Sequence, residues 1–409
     1  MRLLVTYRGL PWPISEGYHL RVLHLFRRLA QRHEVHLLAL VHEEEQRRQL
    51  PALEADGLFA SIRLREVPPR RALGRLRTNL GLSPVADFAA EYPGFAAELA
   101  REVAAMRDEL GLDAGYVFDP WADLWYREAA AELPTLLDVC DCRTLFYERR
   151  LERGDLGLGG RLRTGQLRRR FLAYETFCLH RYPMSTVVSP HDRERLLGMR
   201  PDAEVHVVPN GVDLEMFRPV EGVEEEPGNL IVFGNMDFLP NVDAAVRFGR
   251  DILPLVRERH PDASFTVVGT NPVPEVQALA ELPGIEVTGR VEDLKPWIQR
   301  ASMLVAPMRY GAGIKNKVLE AMAVEKPVVT NATGVEAMHP EVAALLTLAE
   351  DDRAFADAVS SLLDDPERRR ELGRRGRETM ARLHSWDAAA EAYEALFERL
   401  AVSRTPTGR

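Results

Sequence analysis

"MLVAPMRYGAGIKNKVLEAMA", residues 303–323, decides how the rest of the chain is read. Its first five residues are an apolar run of strand length, and 316–324 reads as a helix. What lies between is a loop at the carboxyl end of a strand, where α/β folds bind ligands. Gly311 and Gly313 let the backbone turn sharply and approach a ligand with no Cβ in the way. The helix start presents unpaired N–H groups and about half a positive charge. Lys315 and Lys317 add full charges beside it. A diphosphate suits such a cradle. The spacing is neither the G-x-x-x-x-G-K-[ST] of a Walker loop nor a dinucleotide fingerprint, because G-x-G-x-x-G fails at Asn316. Glu320 lies one helical turn beyond Asn316 and Lys317. A carboxylate there either accepts from two ribose hydroxyls or pairs with a lysine on a solvated first turn.

Outward from this loop, apolar runs alternate with helical patterns. "RLLVTY" (2–7), an amphipathic 18–32 and "EVHLLALV" (34–41) form a strand–helix–strand unit. Further strands are expected at 115–118, 134–139, 185–189 and 205–209, all apolar enough to be covered on both faces. The acidic, Pro- and Gly-containing stretch 213–229 interrupts the pattern and reads as a linker. The alternation then restarts: strands at 230–234, 264–269, 285–289, 303–307 and 327–331, helices at 241–259, 273–282, 293–300 and 316–324. Two helical stretches follow, 350–382 and 385–401. The expected fold is α/β, with two Rossmann-like doubly wound domains facing a cleft. The expected boundaries are 1–213 for an N-terminal Rossmann-like domain, 214–228 for the linker and 229–383 for a C-terminal Rossmann-like domain. Residues 384–401 read as a final amphipathic helix, and 402–409 as a polar tail.

Composition narrows the partners. A net charge of −9 argues against nucleic acid, and no apolar run approaches the roughly 20 residues of a membrane span. The N-terminus is too quickly polar for a secretory signal, and the three cysteines have neither zinc-site spacing nor the number for a disulfide framework. A cytoplasmic, reduced protein is expected. Arginines cluster at 63–77 and at 149–170. These are either solvated helix faces or a basic surface that meets anionic lipid or an anionic acceptor, a peripheral contact at the inner face of a membrane.

"NKVLEAMAVEKPVVTNATGVEAM" resembles the signature of the retaining, group 1 (family 4-like) glycosyltransferases of GT-B fold. "PWPISEGYHLRVLHLFRRLAQRHEVHLL", "VHVVPNGVDLEMF", "VFGNMDFLPNVDAAVRF", "FTVVGTNPVPEV" and "IEVTGRVEDLKPWIQRASMLVAPMRYGAGIKNK" agree with it in family order. The nearest subgroup is the one associated with bacterial exopolysaccharide synthesis. The resemblance implies transfer of a sugar from a nucleotide-diphosphate sugar, with UDP favoured over GDP, to a sugar, lipid-linked or small-molecule acceptor. It implies no cofactor and no metal, and no D-x-D motif stands out; the aspartates of "DVCDC" are one residue too far apart. By this resemblance 1–213 binds the acceptor, 229–383 binds the nucleotide sugar, and helix 384–401 returns to the N-terminal domain. By it, too, Gly313, Ile314, Lys315, Asn316 and Lys317 hold the diphosphate, Glu320 holds the ribose, and Gly17, Gly234, Asn235 and Arg290 line the donor. An ordinary βα turn is the alternative at Gly17, and a surface arginine the alternative at Arg290. Ser15 and Glu16 stand near Gly17.

The sequence departs from the family at two places. Ala312 stands where many relatives have a glutamate on the sugar, and Asn235 and Pro240 stand where many have Arg and Lys. The cationic work is therefore expected of Lys315 and Lys317. Cys140 takes the place of a frequent histidine. Asp138 and Asp141 beside it are candidates to take the acceptor's proton, with helix capping the alternative for Asp141. Asp119 is another strand-end carboxylate, Arg21 is expected to face the cleft, and Trp386, Tyr393 and Phe397 are expected in the core. Two rivals stand beside a transferase: a nucleotide-sugar epimerase on the same fold, and a non-catalytic nucleotide-sugar-binding homologue.

Overall fold

The computed structural model describes residues 1–11, 17–42, 44–71, 83–154, 156–311 and 313–402. The chain divides into two compact units, Met1–Pro209 with Trp386–Arg409, and Asn210–Ser385.

The first unit holds a seven-stranded, all-parallel sheet. Its strands are β1 (Arg2–Tyr7), β2 (Glu34–Val41), β3 (Ser61–Glu66), β4 (Ala114–Phe118), β5 (Thr135–Cys140), β6 (Met184–Val187) and β7 (Val205–Val207). Their order is β3-β2-β1-β4-β5-β6-β7, so the winding reverses between β1 and β4. The central strands are buried along nearly their whole length, which is why they read as continuous apolar runs. The helices used below are α1 (Gly17–Leu29), α2 (Phe95–Leu110), α3 (Pro120–Tyr126), α4 (Arg143–Glu152) and α5 (Leu158–Arg181). The C-terminal helix, Trp386–Val402, packs into this unit's core. Trp386 stacks on His24 of α1 at 5.3 Å, and Tyr393 and Phe397 are fully buried among Phe26 and Tyr116.

β3 was not expected. It is an edge strand in which Arg63 and Arg65 alternate with Ile62 and Leu64. Arg63 pairs with Glu102 at 3.1 Å and with Glu109, and Arg65 with Glu98 at 3.6 Å, all three acids on α2. Arg70 lies 3.6 Å from Glu91, so these three arginines of the first cluster are matched by carboxylates; residues 72–82 lie outside the described set.

The second unit holds a six-stranded parallel sheet of β8 (Asn229–Phe233), β9 (Ser264–Val268), β10 (Ile285–Gly289), β11 (Met303–Ala306), β12 (Val328–Thr330) and β13 (Thr347–Leu348). The order is β10-β9-β8-β11-β12-β13, and the winding reverses between β8 and β11. Its helices used below are α6 (Leu239–Arg247) and α7 (Asn316–Ala323). The stretch read as a linker is fastened to this unit. Gln299 donates to Val220 O at 2.7 Å and Val223 O at 2.9 Å, and Glu225 pairs with Lys326 at 3.1 Å and Arg369 at 2.7 Å. Side chains from the body satisfy its polar groups, so it needs no apolar periodicity to be held. The division of the chain consequently falls at 209/210 and 385/386, not at 213/214 and 383/384.

Candidate functional site

In an open parallel sheet the crevice at the reversal of strand order is the place where ligands meet the carboxyl ends of the strands. In the second unit that point lies beyond β8 and β11, and the loops leaving these strands carry Gly234–Asn235 and residues 307–315. Gly234 has φ 140°, a conformation that disfavours any side chain, and a Cβ there would lie 2.8 Å from Asn241 Nδ2. The neighbouring loop end comes closer still: a Cβ on Gly269 would sit 1.7 Å from Gly234 O. Glycine at 234 and 269 is what lets β8 and β9 end side by side.

Asn241, buried on α6, ties the loops together. Its Nδ2 donates to Asn235 O at 2.9 Å, and its Oδ1 accepts from Lys317 Nζ at 2.7 Å. The Lys317 ammonium is thereby aimed at the end of β8. Burial lowers its pKa to about 8, with Glu320 opposing the shift and Lys315 adding to it. Burial raises the Glu320 carboxyl to about 7 against the pull of Lys317. A lysine and a glutamate three residues apart are both held close to their titration points at neutral pH. Both side chains are half-buried, which is why neither titrates near its ordinary value.

Lys315 occupies the N-cap position of α7 and supplies no side-chain cap. Its Nζ instead donates to Gly313 O at 2.8 Å. Gly311 at φ 151° and Gly313 at φ 66° turn the loop as the sequence implied. Ala312 lies outside the described residues. Ile314 packs on the apolar cluster beneath the helix, and Asn316 Oδ1 accepts from Asn210 Nδ2 at 3.0 Å.

Other expected donor residues are placed differently. The Asn235 side chain is engaged within its own loop, accepting from Thr270 and from Asn271, each at 3.3 Å. It organises the β8 and β9 loop ends and does not replace a cation. Arg290 is exposed just past β10, two strand spacings, roughly 10 Å, from β8. Gly17 is the first residue of α1, while Ser15 and Glu16 lie outside the described residues. Asn241 was missed, since an uncharged amide in "LPNVDAAVRF" carries no signature of its own.

In the first unit, Asp138 is corrected. It is fully buried; one oxygen accepts from Arg21 Nε, Tyr116 OH and Tyr393 OH, each at 2.7 Å, and the other from Cys140 N at 3.1 Å. With both oxygens engaged it is a structural charge, not an acceptor-side base. Arg21 likewise is not in a cleft: it is 1% exposed and closes this ion pair. Asp141 precedes the helix without capping it. The first N–H groups of α4 go to Glu175, from Arg143 at 2.7 Å and Thr144 at 3.1 Å, and Cys142 N goes to Asp192 at 2.9 Å. Asp141 stays half-exposed beside the Arg143 guanidinium. Asp119, at φ 71°, caps α3 through Trp121 N, and burial raises its pKa. Cys140, at φ 61°, has its thiol pushed far up by burial, which makes it a poor nucleophile.

Residues 227–365 match the family model described as Glycosyl transferases group 1. The MMP alpha-(1->4)-mannosyltransferase of Mycolicibacterium hassiacum is 29% identical over 218 residues, 49% of each chain. The GDP-mannose-dependent alpha-(1-6)-phosphatidylinositol monomannoside mannosyltransferase of Mycobacterium tuberculosis is 30% identical over 50% of this chain and 59% of its own. The chain spans about half the length of the curated relatives it matches. Among solved structures, sucrose-phosphate synthase from Thermosynechococcus elongatus superposes with TM-score 0.70 at 18% identity, over 98% of this chain and 100% of the other, a likeness of fold.

Proposed function

We propose that the chain is a group 1 glycosyl transferase, the family whose model residues 227–365 match, and that it moves a hexose from a nucleotide-diphosphate sugar to an acceptor hydroxyl. The observation that carries this reading is the switch-point cradle: the open start of α7, Lys317 held by Asn241 at 2.7 Å, and Glu320 one turn on. Lys317, Lys315 and the N–H groups at 313–316 neutralise the diphosphate, and Glu320 accepts from the ribose hydroxyls. Protein charge and dipoles then do what a metal would otherwise do for the departing diphosphate, so transfer needs no added metal.

The anomeric configuration is retained. The acceptor oxygen bonds to the anomeric carbon on the face the diphosphate leaves, and the departing phosphate oxygen takes the acceptor's proton. UDP is the first nucleotide in this reading and GDP its competitor, given the GDP-mannose dependence named for one relative. The setting is assembly of a bacterial polysaccharide or glycoconjugate.

A thermal-shift panel of UDP-, GDP- and ADP-sugars tests the donor site, because a ligand that binds the native state raises its melting temperature. One nucleotide should stand out. Nucleotide release that depends on an acceptor, unaffected by EDTA, and an anomeric coupling matching the donor's, complete the expectation. Absence of a shift with every nucleotide refutes the donor site. An epimer formed from donor alone, or an inverted product, refutes the transfer chemistry.

A further inference from the structure

β11 pairs with β8 only through Met303 and Leu304, so the two strands part before β11 ends. That parting makes the switch point, and it leaves the next residues of β11 with one strand neighbour fewer to satisfy their backbone. Side chains supply what the sheet does not. The carbonyl oxygens of Ala306, Pro307 and Met308 accept in turn from Thr330 Oγ1 at 2.8 Å, Arg247 Nη1 at 3.2 Å and Asn331 Nδ2 at 2.6 Å. All three side chains are buried. Thr330 ends β12 and Asn331 follows it, while Arg247 is the last residue of α6, the helix that also carries Asn241. The same guanidinium donates from Nε to Asp352 at 2.6 Å and from Nη2 to Glu350 O at 3.1 Å, just past β13. Glu350 Oε1 in turn accepts from Ala332 N at 2.8 Å. One arginine thus joins the ends of β11, β12 and β13.

These three carbonyls are the root of 307–315, the loop whose far end carries Lys315 and leads into Lys317. Gly311 and Gly313 lie between, both at positive φ. Glycine loses more conformational freedom on ordering than any other residue, so such a loop depends on its root to stay formed. Given 313–317 as the diphosphate site, we infer that Arg247 is a positioning residue for the donor's diphosphate. With Thr330 and Asn331 it clamps the root of the loop, so the cradle stands formed before the nucleotide arrives. A loop already in its bound shape gives up less entropy on binding, and the difference goes into affinity. Asp352 supplies the counter-charge that a buried guanidinium needs, which leaves the remaining donors for Pro307 and Glu350. Only a planar fork reaches a carboxylate and two carbonyls from different loops at once, so lysine is no substitute here.

Amide hydrogen exchange of the ligand-free chain, with titration calorimetry against UDP and against GDP, tests this. In Arg247→Met, exchange should rise about tenfold in a peptide covering 308–311 and stay unchanged in peptides covering β8 and β9. Affinity for the nucleotide diphosphate should fall about tenfold. Arg247→Lys keeps a charge for Asp352 and should melt within a few °C of the native chain. It should still bind about tenfold more weakly, because an ammonium cannot hold Pro307 and Glu350 as well. Exchange at 308–311 that does not move, or that rises equally across the whole sheet, overturns the role. So does binding by Arg247→Lys within twofold of the native chain. A native chain that binds neither nucleotide overturns the donor site and this role with it, whereas native binding with no loss in either variant overturns this role alone.

Discussion

Replacing Lys317 with methionine removes one positive charge and little volume. In the native chain its ammonium donates to Asn241 Oδ1 at 2.7 Å from the first turn of α7. A charge-assisted hydrogen bond is worth about 1.5–3 kcal/mol net, which is roughly a 10- to 150-fold loss in donor affinity. The Coulomb energy of a pair at 4 Å, about 4 kcal/mol at an effective dielectric of 20, sets an upper bound. Burial contributes a second signature. With its pKa near 8, Lys317 is mostly charged at pH 7 and mostly neutral at pH 9 in the free protein. Donor affinity of the native chain should therefore weaken by up to about tenfold between those values. A sugar nucleotide's diphosphate is fully ionised across this range, so the slope reports the protein. Titration calorimetry with the nucleotide sugar chosen by the thermal-shift panel, at pH 7 and pH 9, gives both numbers. Lys317→Met should lose affinity at pH 7 and no longer weaken toward pH 9; the slope it keeps is the opposite one, from ionisation of Glu320. If the variant binds within twofold of the native chain at pH 7, or retains the same pH slope, Lys317 is not the diphosphate's cation.

Three further outcomes follow from the same geometry. Glu320→Gln should raise the melting temperature at pH 8 by a few °C while weakening donor binding. The folded pKa of about 7 lies above the ordinary 4.5, so the fold favours the neutral form and ionisation costs on the order of 1–3 kcal/mol above pH 7; at pH 4.5 the two proteins should melt together. Gly269→Ala should cost about 3 kcal/mol or more in urea unfolding of the second unit, because its Cβ would lie 1.7 Å from Gly234 O. Asp138→Asn should cost about 3 kcal/mol by leaving the buried Arg21 without its counter-charge. It should leave calorimetric donor affinity unchanged; a loss there with no loss of stability would return Asp138 to the functional site.

The parallel strands were legible because burial on both faces leaves a continuous apolar run, and β11, its loop and α7 announce themselves where that run gives way to a helical period. β3 was hidden by its own charges. "SIRLRE" has the two-residue alternation of an edge strand, yet Arg63 and Arg65 drew the eye as a cluster. Their partners, Glu98, Glu102 and Glu109, belong to a helix more than 30 residues away, and nothing local marks them as such. The stretch 214–228 misled for a related reason. It lacks periodicity because Gln299, Lys326 and Arg369 hold it, and those contacts are 70 residues or more distant in sequence.

The site divides along the same line. Gly313, Lys315 and Lys317 are read from a single loop, because glycines, cations and a helix start fall within seven residues. What aims Lys317 cannot be read there, since Asn241 lies 76 residues earlier and is neutral. Strand-end carboxylates are the sharper case. A sequence shows that Asp138, Asp141 and Asp119 stand at carboxyl ends of strands, where catalytic groups gather, but not which of them the fold consumes. Arg21, 117 residues before Asp138, and Tyr393, 255 after it, decide that, and both arrive through the packing of α1 and the C-terminal helix. Glu175 decides it for Asp141 in the opposite sense. By taking the N–H groups of Arg143 and Thr144 it relieves Asp141 of capping. Asp141 is thereby left half-exposed beside the Arg143 guanidinium, one residue past a Cys140 that turns at φ 61°.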